Sequence, residues 1–259
     1  MLNIQLPSEV LFNIGPLPVT NSMLATAAIT LFVAIFAVWF RYTLKIVPRR
    51  AQTAMEVVHG FWIKQATAAF GSEELAKKML PMFFTLFILL TLANQFALIP
   101  LAGSVFFGSV PAFRTPTSDL SHTIALAIAV IAFAHIVAFT AHPLQHLGNY
   151  IKIKPLLQVR SLKDFGNALI EVFLGLMDII GEIAKVLSLS GRLFGNIFAG
   201  DVMVVVIASL AAATYYFVPI PFIFLSLFSG FVQAAVFTML SMLFIAGTAG
   251  TALQERASK

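Results

Sequence analysis

The chain of 259 residues is 59% hydrophobic and only 10% charged, with a mean hydropathy of +0.95. A soluble domain averages about 45–50% apolar and about 25% charged residues, so the composition excludes a water-soluble globular protein and defines an integral membrane one. The net charge of +5 belongs to membrane orientation in a chain this apolar, and no nucleic-acid binding is expected. With no cysteine, a disulfide framework and Cys-ligated metal are also excluded. The first positive charge is Arg41, so the amino terminus lacks the basic region of a signal peptide.

In chain order, residues 1–20 form a short segment ahead of a first span from about Asn21 to Phe40 that ends at Arg41. That run is long enough to cross a hydrocarbon core of ~30 Å at ~1.5 Å per residue. Residues 48–78 mix Arg49, Arg50, Glu56, His59, Lys64, Glu73, Glu74, Lys77 and Lys78 with short apolar groups and predict an interfacial helix and loop. Spans follow at about Met79–Leu101 and Leu120–Ala141, separated by a Pro/Gly/Ser-rich loop that holds Arg114 and Asp119. After a polar segment, His142–Lys163, the chain stays apolar almost to its end, broken mainly at Tyr215–Pro219. It reads as one all-α polytopic membrane domain: an external segment (1–20), three spans and the interfacial helix (21–163), and a terminal pair of helices (164–259).

Lysine and arginine fall seven in 41–78, four in 142–165 and two after Gln254, with Arg114 alone in the loop between spans two and three. The positive-inside rule then puts the amino terminus outside and the carboxyl terminus in the cytoplasm. Lys185 and Arg192 remain, both deep in apolar sequence. The segment Asp164–Ala213, read as one helix, would be about 75 Å long, more than twice the bilayer core. It must tilt, bend or lie partly along the membrane. With the over-long stretch Ile220–Gln254 it makes a strongly inclined hairpin, for about five membrane helices in all.

At ~100° per residue, Asp164, Asn167, Glu171, Asp178, Glu182, Lys185, Arg192 and Asn196 share a sector of about 80°. The opposite face is Ile, Leu, Val and Phe, and the stripe outlasts an interfacial length. That points to an aqueous cleft or a partner-facing groove over the solvated face of an amphipathic helix. Asp201 falls on another face if the helix keeps its phase, and Gly191, Gly195 and Gly200 either permit close helix packing or allow a bend. A lone membrane amide such as Gln233 is by itself interhelical glue. His135, near the middle of a span, is expected to pack or to hydrogen-bond between helices, with His142 and His146 at the interface; no metal or cofactor is expected.

The run LSLSGRLFGNIFAGD, Leu187 to Asp201, resembles the signature of the a subunit of bacterial F-type ATP synthases, and PTSDLSHT (116–123) and LANQFALIP (92–100) extend the likeness over most of the chain. The resemblance implies membrane helices plus a long tilted hairpin curved around the c-ring, in an inner-membrane stator subunit that passes protons through two offset half-channels and has no catalytic activity of its own. Its partners would be the c-ring, subunit b and the rest of the ATP synthase. Arg192 would face the ring carboxylate with Gln233 beside it. Asp201 and Asn196 would belong to the outer half-channel, and Asp178 with Glu182 to the cytoplasmic one; Lys185 and Asp119 also match family positions. Many relatives carry a titratable residue seven before the glutamine, where this chain has Ser226, and His122 is the expected substitute. The other readings are a secondary transporter, which would show internal repeats, and a membrane-embedded enzyme, which would need clustered catalytic groups.

Overall fold

The computed structural model describes residues 8–96, 105–107, 110–141, 143–150, 162–210 and 219–257. Tyr215–Val218, His142 and the segments 97–104 and 151–161 lie outside them.

The segment ahead of the first span is a small antiparallel hairpin, β1 (Val10–Ile14) and β2 (Leu17–Thr20), a structure the composition did not announce. Thr20 ends β2 and caps α1 (Asn21–Thr43), its Oγ1 accepting from the Met23 N–H at 3.4 Å. Only Asn21, Ser22, Ala25 and Ile29 of α1 are buried, and Leu31, Phe32, Ile35 and Val38 are exposed.

The stretch read as an interfacial helix and loop resolves differently. Helix α2 (Arg50–Phe70) stops at Gly71, whose left-handed φ of 69° suits glycine. Ser72 then caps α3 (Glu73–Gln95), its Oγ accepting from the Leu75 N–H at 3.4 Å. Glu73 and Glu74 therefore belong to the first turn of the second span, where the helix dipole favours acids, and pair with Lys77 and Lys78 at 2.6 and 3.0 Å. The span begins about a turn and a half earlier than hydropathy alone indicated because these charges are its end cap. Helices α2 and α3 run antiparallel, Phe70 meeting Phe83 and Trp62 meeting Phe87 at ring separations of 6.0 and 4.9 Å.

A short pair of strands, β3 (Phe106–Phe107) and β4 (Val110–Pro111), leads to a 3₁₀ turn (Pro116–Ser118) and then α4 (Leu120–Ala141) and the short α5 (Pro143–Tyr150). Next come α6 (Leu162–Leu210), 49 residues, and α7 (Pro219–Ala257), 39 residues, about 74 and 58 Å long. Helix α7 is the hub and packs on α3, α4 and α6. Trp62, Phe83, Phe237, Leu193, Met242 and Ile245 lie in one continuous core.

Among the described residues, four helices are long and apolar enough to cross a membrane: α1, α3, α4 and most of α7. The expectation of five is met only in part, the longest helix, α6, not being among these four. Much of its apolar surface, including Leu169, Phe173, Ile183 and Leu187, is exposed.

Candidate functional site

The middle of α6 presents Arg192 on an exposed face. Among the described residues it has no ion-pair or hydrogen-bond partner, although its neighbours on the chain, Leu193 and Leu189, are fully buried. Helical phase accounts for this: Leu189, Leu193 and Ile197 turn inward onto α7 and α4, which leaves Ser188, Gly191, Arg192, Gly195 and Ala199 outward. An arginine fixed on a face of small residues lets another helix come close to its guanidinium.

One turn on, Asn196 points toward α7. Its Oδ1 accepts from Ser229 Oγ at 2.8 Å, and its Nδ2 donates to Gln233 Oε1 at 3.4 Å and to the Ser229 carbonyl at 3.5 Å. Gln233 is buried, so this amide pair is the polar rivet between α6 and α7 directly beside the arginine. A second rivet joins α3 to α7: Asn94 Nδ2 donates to the Gly230 carbonyl and Gln95 Nε2 to the Leu227 carbonyl, each at 2.8 Å. At Gly230 a Cβ would stand 3.0 Å from Gln95 Nε2 and 3.2 Å from Asn94 Cβ. The sequence offered the NQ pair and Gly230 without saying that they face each other.

Toward the β1–β2 end lies a first polar cluster. Asp119 is buried, accepts from Ser22 Oγ at 2.6 Å and from the Ser121 N–H at 3.0 Å, and so caps α4 while tying it to α1. Burial opposes its ionisation, but hydrogen bonds from Ser22, Ser8 and the Ser121 N–H, with the positive charge of Arg114, hold its carboxyl below the usual aspartate range. Asp201 reaches the same end from α6. Its carboxylate meets the Ser118 and Thr115 hydroxyls and the charge of Arg114. Ser226 stands against Gly200, where a Cβ would lie 2.9 Å from Ser226 Oγ. His122 feels the charge of Asp119 and lines a cavity of about 100 Å³ with Thr26, Thr30 and Pro116, between α1, α3 and α4. The groups gathered on Asp201 are therefore Arg114, Thr115 and Ser118, which sequence reasoning passed over as outer-loop residues. Their signal was present in the short polar run before Asp119, but only the 3₁₀ turn brings it onto α6.

A second cluster lies toward the other end. Glu182 Oε1 accepts from Lys185 Nζ at 2.7 Å and from the Tyr150 hydroxyl at 3.1 Å. His135 Nε2 stands 3.4 Å from Glu182 Oε2, and His135 Nδ1 is 3.1 Å from His146 Nε2. Burial, with the neighbouring Glu182 carboxylate, pushes the Tyr150 phenol up to about 12. Asp178 is exposed one turn away and acts on Tyr150 through its charge. His135 is thus the interhelical hydrogen-bonding residue expected, whereas His146 is half-buried against it and not simply interfacial. The stripe splits accordingly: Asp164, Asn167, Glu171 and Asp178 are exposed, and Glu182, Lys185 and Asn196 turn partly inward.

Along α6, Arg192 is ten residues from Glu182 and nine from Asp201, about 15 and 14 Å, and the two acids are about 100° apart around the axis. The arginine stands midway between two polar clusters that do not face each other.

These features define a polytopic membrane protein organised on a pair of over-long antiparallel helices, one of them carrying its charges into the apolar region. The profile of the family described as ATP synthase A chain matches residues 21–246, and the chain belongs to that family, the a subunits of the Fo sector of F-type ATP synthases. It is 32% identical to the "ATP synthase subunit a, sodium ion specific" of Propionigenium modestum, over 91% of this chain and 76% of that protein. Similarity to the "ATP synthase subunit a" of Syntrophobacter fumaroxidans is 30% over 79% and 74%, and to the "ATP synthase subunit a 2" of a Bradyrhizobium strain 29% over 95% and 96%.

Proposed function

We propose that this chain is the stator subunit that passes protons between two half-channels and a ring of c subunits, coupling their flow to rotation. It carries out no bond chemistry and takes no cofactor. The observation that carries the reading is the placement of Arg192: exposed, without a partner among the described residues, and midway along α6 between two polar clusters. The Asp201 cluster, with Asp119, Ser226 and Asn196, is the outer path, and Glu182 with Asp178 and Lys185 is the cytoplasmic one. The amino terminus is outside and the carboxyl terminus cytoplasmic, and subunit b with the soluble ATPase completes the assembly.

A guanidinium stays protonated at any physiological pH, so Arg192 attracts a ring carboxylate without relaying protons itself. At ~4 Å and an effective dielectric near 20 the attraction is on the order of 4 kcal/mol, enough to favour the ionised carboxylate while it passes. Away from the arginine the same carboxyl meets lipid, where only its neutral form is tolerated. The membrane potential adds ~2.3 kcal/mol per charge per 100 mV. Because the two clusters are offset around α6, an ion crosses only by travelling on the ring between them.

The absence of cysteine makes the face testable. Single substitutions Ser188→Cys, Gly195→Cys and Ala199→Cys, on the outward face, are expected to cross-link to a cysteine near the ring carboxylate, whereas Leu193→Cys and Ile197→Cys are not. Equal cross-linking of both sets would overturn the assignment of this face. The relative named as sodium ion specific supplies a second reading, with sodium in place of protons. ATP-driven acidification of vesicles in sodium-free medium supports protons, and a requirement for added sodium supports the other.

A further inference from the structure

The second polar cluster holds more than the family resemblance assigned to it. Glu182 has two unequal oxygens. Oε1 is saturated by Lys185 and Tyr150, while Oε2 is buried without a hydrogen bond, His135 Nε2 standing before it at 3.4 Å. A buried carboxylate oxygen without a donor is costly and marks a place where a proton is taken up or given. The other nitrogen of the same imidazole, His135 Nδ1, meets His146 Nε2 at 3.1 Å. His135, His146, Tyr150 and Glu182 line an open cavity of about 500 Å³ between α4, α5 and α6, large enough for several waters.

We propose that His135 and His146 form a two-imidazole proton relay between Glu182 and the water at the α5 end, so that the cytoplasmic path runs off the long helix through α4 and α5. The proposal rests on the proton-conducting reading above. Two ring nitrogens let one imidazole accept on one side and donate on the other. Outward from the ring, the O–H on Glu182 Oε2 breaks as an N–H forms at His135 Nε2. The N–H at His135 Nδ1 then breaks as one forms at His146 Nε2, and His146 Nδ1–H releases its proton to water. Each step moves one proton, and the tautomers reset by ring rotation. The charged and titratable groups facing the pair are Glu182 and Lys185, with Asp178 beyond them, from α6, and Tyr150 from α5. Burial and the neighbouring His135 hold the His146 imidazole below its ordinary value against the pull of Glu182, so it is neutral and able to accept at neutral pH. Tyr150, bonded to Oε1, and Lys185, which also lies over the Phe244 ring at 5.6 Å, position the carboxylate.

The test uses membranes carrying the whole ATP synthase, stripped of its soluble sector for passive conduction under an imposed potential and intact for ATP synthesis. His135→Gln and His146→Gln are expected to slow proton conduction about tenfold or more and to reduce the difference between H2O and D2O, with the number of protons per ATP unchanged. Added imidazole is expected to restore conduction in His135→Ala, a recovery that a purely structural defect would not show. Conduction within twofold of the unmodified protein in both Gln variants, or no recovery with imidazole, overturns the relay. Arg192→Ala is run in parallel. Loss of coupling there with normal conduction in the histidine variants sinks the relay alone, whereas retained coupling in Arg192→Ala sinks the proton-conducting reading itself.

Discussion

At the scale of single residues, position decides what each charge does. Asp119 and Asp201 approach the same end of the molecule, yet Asp119 is locked as a helix cap by Ser22 and the Ser121 N–H. Its carboxyl is held below the usual range, which makes it a fixed anion at neutral pH. Because its pKa is depressed on folding, it contributes stability that is fully present above about pH 4, the unfolded value for aspartate, and is lost as pH falls through the lower folded value. Asp119→Ala is expected to lower stability at pH 7 by about 1 kcal/mol or more through the lost cap and to flatten the acid limb of a thermal-unfolding series in detergent. An unchanged acid limb would show that the cap carries no such charge. Asp201 has no capping duty: its partners are two hydroxyls and the Arg114 charge, an environment that can exchange partners.

At the scale of elements, α7 is held by backbone carbonyls presented to side-chain amides. Gly230 lies at one of these contacts, its carbonyl accepting from Asn94 Nδ2. Gly230→Ala sets a methyl group 3.0 Å from Gln95 Nε2 and 3.2 Å from Asn94 Cβ, both fixed by their own hydrogen bonds to α7, and is expected to cost about 1–3 kcal/mol. Gly200→Ala meets chiefly the hydroxyl of Ser226, at 2.9 Å, with its Cβ at 3.7 Å. A single rotatable hydroxyl gives way more easily, so the cost is expected to be smaller and to be recovered in the double variant with Ser226→Ala. Unfolding midpoints in detergent check both, and equal costs at the two glycines would contradict this account of the contacts.

The elements most legible in the sequence were those written by periodicity and length. The 49-residue α6 and 39-residue α7 lie within a few residues of the apolar runs that predicted them, and Arg192 with Lys185 stands out as a cation deep in apolar sequence. The start of α3 was misplaced because hydropathy reads Glu73, Glu74, Lys77 and Lys78 as interface, while the Gly71–Ser72 stop and start signal makes them a helix end. Arg114, Thr115, Ser118, His135, His146 and Tyr150 could not be gathered from sequence. They come from separate elements, and only the packing of the 3₁₀ turn, α4 and α5 on α6 brings them to the acids.

At the scale of the whole molecule, an apolar chain with few charges places a handful of them in two polar clusters about 29 Å apart along α6 and leaves Arg192 exposed between. Both clusters draw on α6, their acids Glu182 and Asp201 standing about 100° apart around its axis. In the function proposed, a ring of c subunits carries the ion between them past the outward face of α6 around Arg192. The most direct measurement is ATP-driven proton pumping by membrane vesicles carrying Arg192→Ala, with ATP hydrolysis and the amount of assembled complex measured on the same vesicles. The account predicts assembled complex, continued hydrolysis by the soluble sector and no pumping; pumping at the rate of the unmodified protein would contradict it.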